Sequence, residues 1–253
     1  MFVIIRFLSA IVGVVVAMTF AVQTREPSTY PLYVGIGVLT FAVGGFLIAW
    51  SRHRHIGDTW PLLPGLVALV CMAFGLVLAE GMLAHWVIPL VAGGTAFLVL
   101  ELLFFSLYAP ARYPANGLSH VNLMLVPIAL WLATYAALGL TIFLSVPRVV
   151  PVCIITVVSC IFFFATAHPE VGPAARARWV IIGTWIGAQT GVLITSLPLD
   201  LMTSSTFVSL VGAYVLRTRR YEIPPKVPPR QMITEAVTFV LLLFLILATA
   251  RWT

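Results

Sequence analysis

The chain has 253 residues, of which 61% are hydrophobic and 9% charged, with a mean hydropathy of +1.09. A water-soluble domain needs roughly a quarter of its residues charged, so this composition excludes a soluble globular protein and calls for lipid as the solvent. Lys+Arg 14 against Asp+Glu 8 gives a net charge of +6, but the basic residues sit in short runs between apolar stretches, which is the pattern of cytoplasmic loops and argues against nucleic acid as a partner.

Intervals almost free of charge predict an all-α fold, a polytopic transmembrane helix bundle that forms a single integral membrane domain over 1–253. A bilayer core of about 30 Å needs about 20 apolar helical residues. About nine intervals come near that length, 7–22 and 201–216 being the shortest: 7–22, 30–50, 61–83, 86–108, 118–144, 149–167, 179–197, 201–216 and 233–250. With the N-terminus cytoplasmic, inner segments carry Arg6, Arg52, Arg54, Arg112, Arg176, Arg178, Arg217, Arg219, Arg220, Lys226 and Arg230. Outer segments then carry only Arg25, Arg148 and Arg251. The positive-inside rule therefore predicts a cytoplasmic N-terminus and an outside C-terminus, in the cell (plasma) membrane.

The first span follows a single arginine, as a signal peptide does, yet no small-x-small cleavage site follows it. Ser9, Gly13 and Ala17 recur every fourth residue and put small side chains on one helical face, which predicts a retained helix packed through that face. Tryptophans and tyrosines favour the headgroup level. Trp50, Trp60 and Trp179 fit inner ends, and Tyr30, Tyr33, Trp86 and Trp252 fit outer ends. Trp131 and Trp185 fit neither belt and are expected to be packed between helices.

In the fourth span Glu101 lies between Leu100 and Leu102, about 10 Å inside the cytoplasmic end. An intramembrane carboxyl must be neutral, paired or in contact with a wet cavity. Glu101 is therefore a substrate or proton candidate, with Asn122 and His120, near the start of the fifth span, as partners at similar depth. Pro127 is expected to kink that fifth helix.

The seventh span carries Gly183, Gly187 and Gly191, two consecutive GxxxG steps that make a flat strip for close backbone approach. Gln189, off the strip, is an intramembrane amide that needs a partner in a neighbouring helix or a substrate. Only Pro198 and Asp200 separate the seventh and eighth spans, so a re-entrant pair is the alternative there, with Asp200 a helix N-cap. Residues 217–231 form the longest polar stretch, a basic, proline-rich cytoplasmic loop expected to be extended. Its Arg217, Arg219, Arg220, Lys226 and Arg230 are candidates for anionic-lipid contact.

His53, His55, His120 and His168 share the predicted inner side with Asp58, Glu170 and Glu235, but they lack the spacing of a metal site, and neither metal nor cofactor is expected. Outside, Glu80, His85, Arg148 and Asp200 form a weaker grouping. Cys71, Cys153 and Cys160 lie in apolar stretches without a CxxC pair. No Walker A, GxSxG or paired-aspartate motif is present. Three function classes remain. The glycine strips favour a non-catalytic subunit or assembly factor of a membrane complex, partnered by lipid and by other membrane subunits or a homo-oligomer. Glu101, Gln189 and the hydroxyls of 203–206 support a small-solute or proton-coupled transporter. The scattered histidines and carboxylates support a lipid-modifying enzyme.

Overall fold

The computed structural model describes residues 2–25, 30–51, 61–78, 82–110, 113, 117–166, 173–222 and 227–250. Among them the fold is all-helical: α1 (Phe2–Arg25), α2 (Tyr30–Trp50), α3 (Leu63–Leu78), α4 (Met82–Tyr108), α5 (Gly117–Leu144), α6 (Val149–Ala165), α7 (Pro173–Ser196), α8 (Leu201–Thr218) and α9 (Pro229–Thr249). Six of these, α1, α2, α4, α5, α7 and α9, contain stretches long and apolar enough to cross a membrane. The apolar α3 and α6 are shorter, at 16 and 17 residues. Between α7 and α8 the chain makes a turn at 197–200 and restarts a separate 18-residue helix.

The chain divides into two compact units, Met1–Leu125 and Val126–Thr253. In the first, α1 lies between α2 and α4. Val12, Val16 and Phe20 of α1, Phe41 and Ile48 of α2, Leu69 and Met72 of α3, and Val99 and Leu100 of α4 are fully or almost fully buried. Small residues set these approaches. A Cβ on Gly37 would stand 2.7 Å from Thr19 Oγ1, and one on Gly44 would stand 2.8 Å from Val12 Cγ2. Stepping up α1 thus means stepping down α2, as in a helical hairpin. At the ends of α2 and α4 the Ser51 and Tyr108 hydroxyls share a hydrogen bond, and Tyr113 Oη accepts from the Leu118 amide at 2.8 Å, serving one orphan N–H in the first turn of α5.

The second unit packs around Leu138 of α5, Ile155 of α6, Ile194 of α7, and Phe207 and Val208 of α8, with Leu243 and Leu247 of α9 laid against them. Pro127 cannot donate a backbone hydrogen bond within α5; its own carbonyl accepts from Ser209 Oγ of α8 at 2.7 Å. Helix α5 ends at Leu144. Ser145 takes a left-handed φ of 54°, and the Val146 amide reaches back toward the Leu140 carbonyl at 3.5 Å. Serine here stands where helix termini usually place glycine.

Hydroxyls along the helices are satisfied largely at home. Thr40, Thr141, Thr156, Thr190, Ser205 and Thr206 each donate to the carbonyl four residues earlier. This back-bonding lets Ser and Thr sit in an apolar solvent without a partner from elsewhere.

The polar stretch over 217–231 is shorter as a loop than its composition predicts. Helix α8 runs to Thr218, a 3-10 turn covers Arg219–Glu222, and α9 begins at Pro229. Proline does not prevent that start: it occupies the first turn of α9, where its missing N–H has no helical acceptor anyway.

Candidate functional site

The intramembrane carboxyl of Glu101 is half-buried on α4 and accepts a hydrogen bond from Ser9 Oγ of α1. Ser9 itself is 1% exposed. The contact belongs to a continuous antiparallel seam. One turn above Ser9, a Cβ on Gly13 would lie 2.8 Å from Phe97 Cβ and 3.0 Å from the Gly93 carbonyl oxygen. One turn further, a Cβ on Gly93 would lie 2.6 Å from both Ala17 Cβ and the Gly13 carbonyl oxygen. Ser9, Gly13 and Ala17 therefore face Glu101, Phe97 and Gly93 in order. The absence of bulk between the two backbones brings a serine hydroxyl within reach of a carboxyl group.

The expected partners of Glu101 are engaged differently. Asn122 is buried and donates its Nδ2 to the Pro61 carbonyl at 2.8 Å, tying the start of α5 to the residues before α3. His120 is exposed. Ser9 stands in the sequence as one of a row of small packing residues, and nothing local marks it as a donor to Glu101.

On α7 the three glycines lie against α6. A Cβ on Gly183 would overlap the Phe163 ring, one on Gly187 would meet Ser159 Oγ at 2.5 Å, and one on Gly191 would rest 3.4 Å from Val152 Cα. This seam is again antiparallel and stays within the chain. Gln189 points away from it and is exposed. Trp185 is 66% exposed and so is not packed between helices of this chain. The cause is angular: Trp185 lies two residues from both Gly183 and Gly187, which places it on the far side of α7. Trp131 is half-buried; it donates Nε1–H to Thr206 Oγ1 at 3.2 Å and stacks on Tyr135 at 5.3 Å.

The basic residues after α8 divide by environment. Arg219 is 7% exposed and donates to the Thr166 carbonyl at 2.6 Å, so its guanidinium closes the C-terminal turn of α6. Arg217 is an exposed partner of Glu235 on α9 at 3.1 Å, and Tyr221 Oη also donates to Glu235. Below this clamp Tyr214 stacks on Phe239 with ring centroids 4.0 Å apart. Arg230 is exposed on the first turn of α9, while Lys226 and the Arg220 side chain lie outside the described residues.

His53, His55, Asp58, Glu80, His168 and Glu170 also fall outside them. Among the described residues no three His, Cys, Asp or Glu side chains come together as metal ligands. Asp200 caps α8, its carboxylate accepting from the Thr203 amide at 3.2 Å. Burial pushes that carboxyl up, but hydrogen bonds from Thr203, from its own amide and from Met202 outweigh it and hold the pKa below the ordinary value. At the far end of the α1–α4 seam Arg25 sits over the Trp86 ring, 6.0 Å from its centroid. No protein-family model matches the chain, and neither a curated protein nor a solved structure is similar to it.

Proposed function

We propose that this chain is a non-catalytic subunit or assembly factor of a plasma-membrane complex. In that reading α3, α6 and α8 cross with the six longer helices, the N-terminus is cytoplasmic and the C-terminus outside. The observation that carries it is α9. This 21-residue apolar helix has no buried residue. It is held at the edge of its unit by the Glu235 clamp, the Phe239 stack, and Leu243 and Leu247. Val237, Leu241 and Phe244, at 52%, 62% and 71% exposure, are left for something outside the chain. Arg217 and Arg230 lie beside anionic headgroups at its cytoplasmic end. The test is purification in mild detergent at native expression level. A membrane protein in stoichiometric amount should accompany the chain and should be lost when Leu241 and Phe244 are replaced by alanine.

One observation favours a second reading, a small-solute or proton-coupled transporter. Glu101 is a half-buried carboxyl at membrane depth with a hydroxyl donor on the facing helix, a setting that suits proton or cation carriage. Proton uptake into liposomes containing the purified chain alone, abolished by Glu101→Gln, would replace the first reading with this one.

A further inference from the structure

The outward face of α7 carries polar groups where lipid offers them nothing. Trp185, Gln189, Val192 and Ser196 are exposed and Ile182 is half-exposed. These residues recur in alternating steps of three and four, the spacing of a seam between two helices that coil left-handedly around each other. Gln189 lies about 16 Å along the helix from Arg178, near the middle of a hydrocarbon core of about 30 Å. Neither its amide nor the Trp185 indole N–H has a hydrogen-bond partner among the described residues. Acyl chains supply neither donor nor acceptor, and the α6 side of the helix is already filled by the glycine seam. Tryptophan at this depth also departs from its usual place at the headgroups.

We infer that α7 is the interface of a homodimer in which Gln189 pairs with Gln189 of a second copy. A primary amide is both donor and acceptor, so two of them saturate each other. A two-fold axis along the membrane normal sets every residue opposite its own copy at the same depth, which is the condition such a pair requires. A dissimilar partner would need a matching polar group at that one depth. Val192 and Ser196 continue the seam above the amides, and Trp185 brackets it below, its N–H within one turn of the paired carbonyls.

This inference is independent of the partner proposed for α9, and its test separates the two. Cys71, Cys153 and Cys160 are first replaced by alanine, and a single cysteine is placed in the seam as Ser196→Cys or on the exposed face of α9 as Phe244→Cys. Mild oxidation in native membranes should give a covalent dimer through position 196 and only background through 244. Adding Gln189→Leu to the Ser196→Cys chain should lower dimer yield about three- to tenfold, the range that interhelical side-chain hydrogen bonds provide in membranes. Gln189→Asn should lower it less. Because position 189 faces outward, the helical content of Gln189→Leu should be unchanged, so loss of dimer is not loss of fold. Equal yields at 196 and 244, or a yield indifferent to Gln189→Leu, overturns the homodimer whether or not α9 recruits a partner.

Discussion

Ser9 and Glu101 stand 92 residues apart and meet through a hydrogen bond that joins α1 to α4 inside the apolar region. A hydroxyl donor needs only an acceptor here, so the amide oxygen of Glu101→Gln should replace the carboxyl oxygen with a change within about 1 kcal/mol. Glu101→Leu leaves the Ser9 hydroxyl only the long contact to the Arg6 carbonyl at 3.4 Å and should cost about 1–3 kcal/mol. Unfolding of detergent-solubilised protein measures both. A double-mutant cycle with Ser9→Ala should show coupling, and additive losses would mean that the two groups do not interact.

Adjacent glycines on α4 should behave in opposite ways. Gly93 has Ala17 and the Gly13 carbonyl against the position of its missing Cβ, whereas Gly94 has nothing within 4 Å. Gly93→Ala must push backbone from backbone, at a cost of about 1–3 kcal/mol. Gly94→Ala adds a methyl to open space and gains up to about 1 kcal/mol of helix propensity. Thermal melts of the two variants side by side suffice, and a matched loss would show that the seam is not tight.

The α6–α7 seam offers a rescue experiment. Gly187→Leu drives a large side chain into Ser159 and should lower the melting temperature; Gly187→Ala should do so less. Ser159→Gly, by emptying the facing position, should restore part of the loss in the alanine variant. Gly191→Ala, whose new methyl would sit at ordinary van der Waals distance from Val152, should be close to neutral. Failure of Ser159→Gly to compensate would indicate that Gly187 is constrained by something else.

Acid should uncap α8. The Asp200 pKa is lowered from 3.8 in the folded protein, so its contribution to stability is complete above the unfolded value and disappears as pH falls through the folded one. Asp200→Asn keeps an N-cap acceptor but removes the titration, so it should flatten the stability profile below about pH 4. Asp200→Ala should cost about 1 kcal/mol at neutral pH. A wild-type profile as flat as that of the asparagine variant would remove Asp200 from the acid response.

At the end of α5, Ser145 adopts a backbone conformation that strains any residue with a Cβ. Ser145→Gly should therefore stabilise the second unit by about 0.5–1 kcal/mol, net of the greater freedom of glycine in the unfolded chain. Ser145→Val should destabilise it. Chemical denaturation of the two variants gives the sign directly.

The helices were legible in the sequence because lipid leaves few choices: a charge-free interval of this length must satisfy its own backbone. Position along the chain was therefore plain, while rotation about each axis was not. Ser9, Gly13 and Ala17 announced a packing face, but nothing local identified α4 as its neighbour, since helices distant in sequence meet by shape and not by spacing. Trp185 shows information present but unused, because the glycines on either side already fixed which way it points. Arg219 shows information that was absent. Its burial depends on where the last turn of α6 ends, and a run of arginines reads the same whether its members face headgroups or a carbonyl.

The seam between α1 and α4 also sets an order of events during synthesis. Glu101 leaves the ribosome about 5 to 20 seconds after Ser9 at ordinary elongation rates. Throughout that interval α1 can pair with α2, whose approach through Gly37 and Gly44 uses other residues, but the face of Ser9, Gly13 and Ala17 has no occupant from its own unit. Helix α4 thus acts as the latch that completes the first unit. A nascent chain halted before it holds α1, α2 and α3 with the row of Ser9, Gly13 and Ala17 still open, so the first unit closes only when α4 arrives.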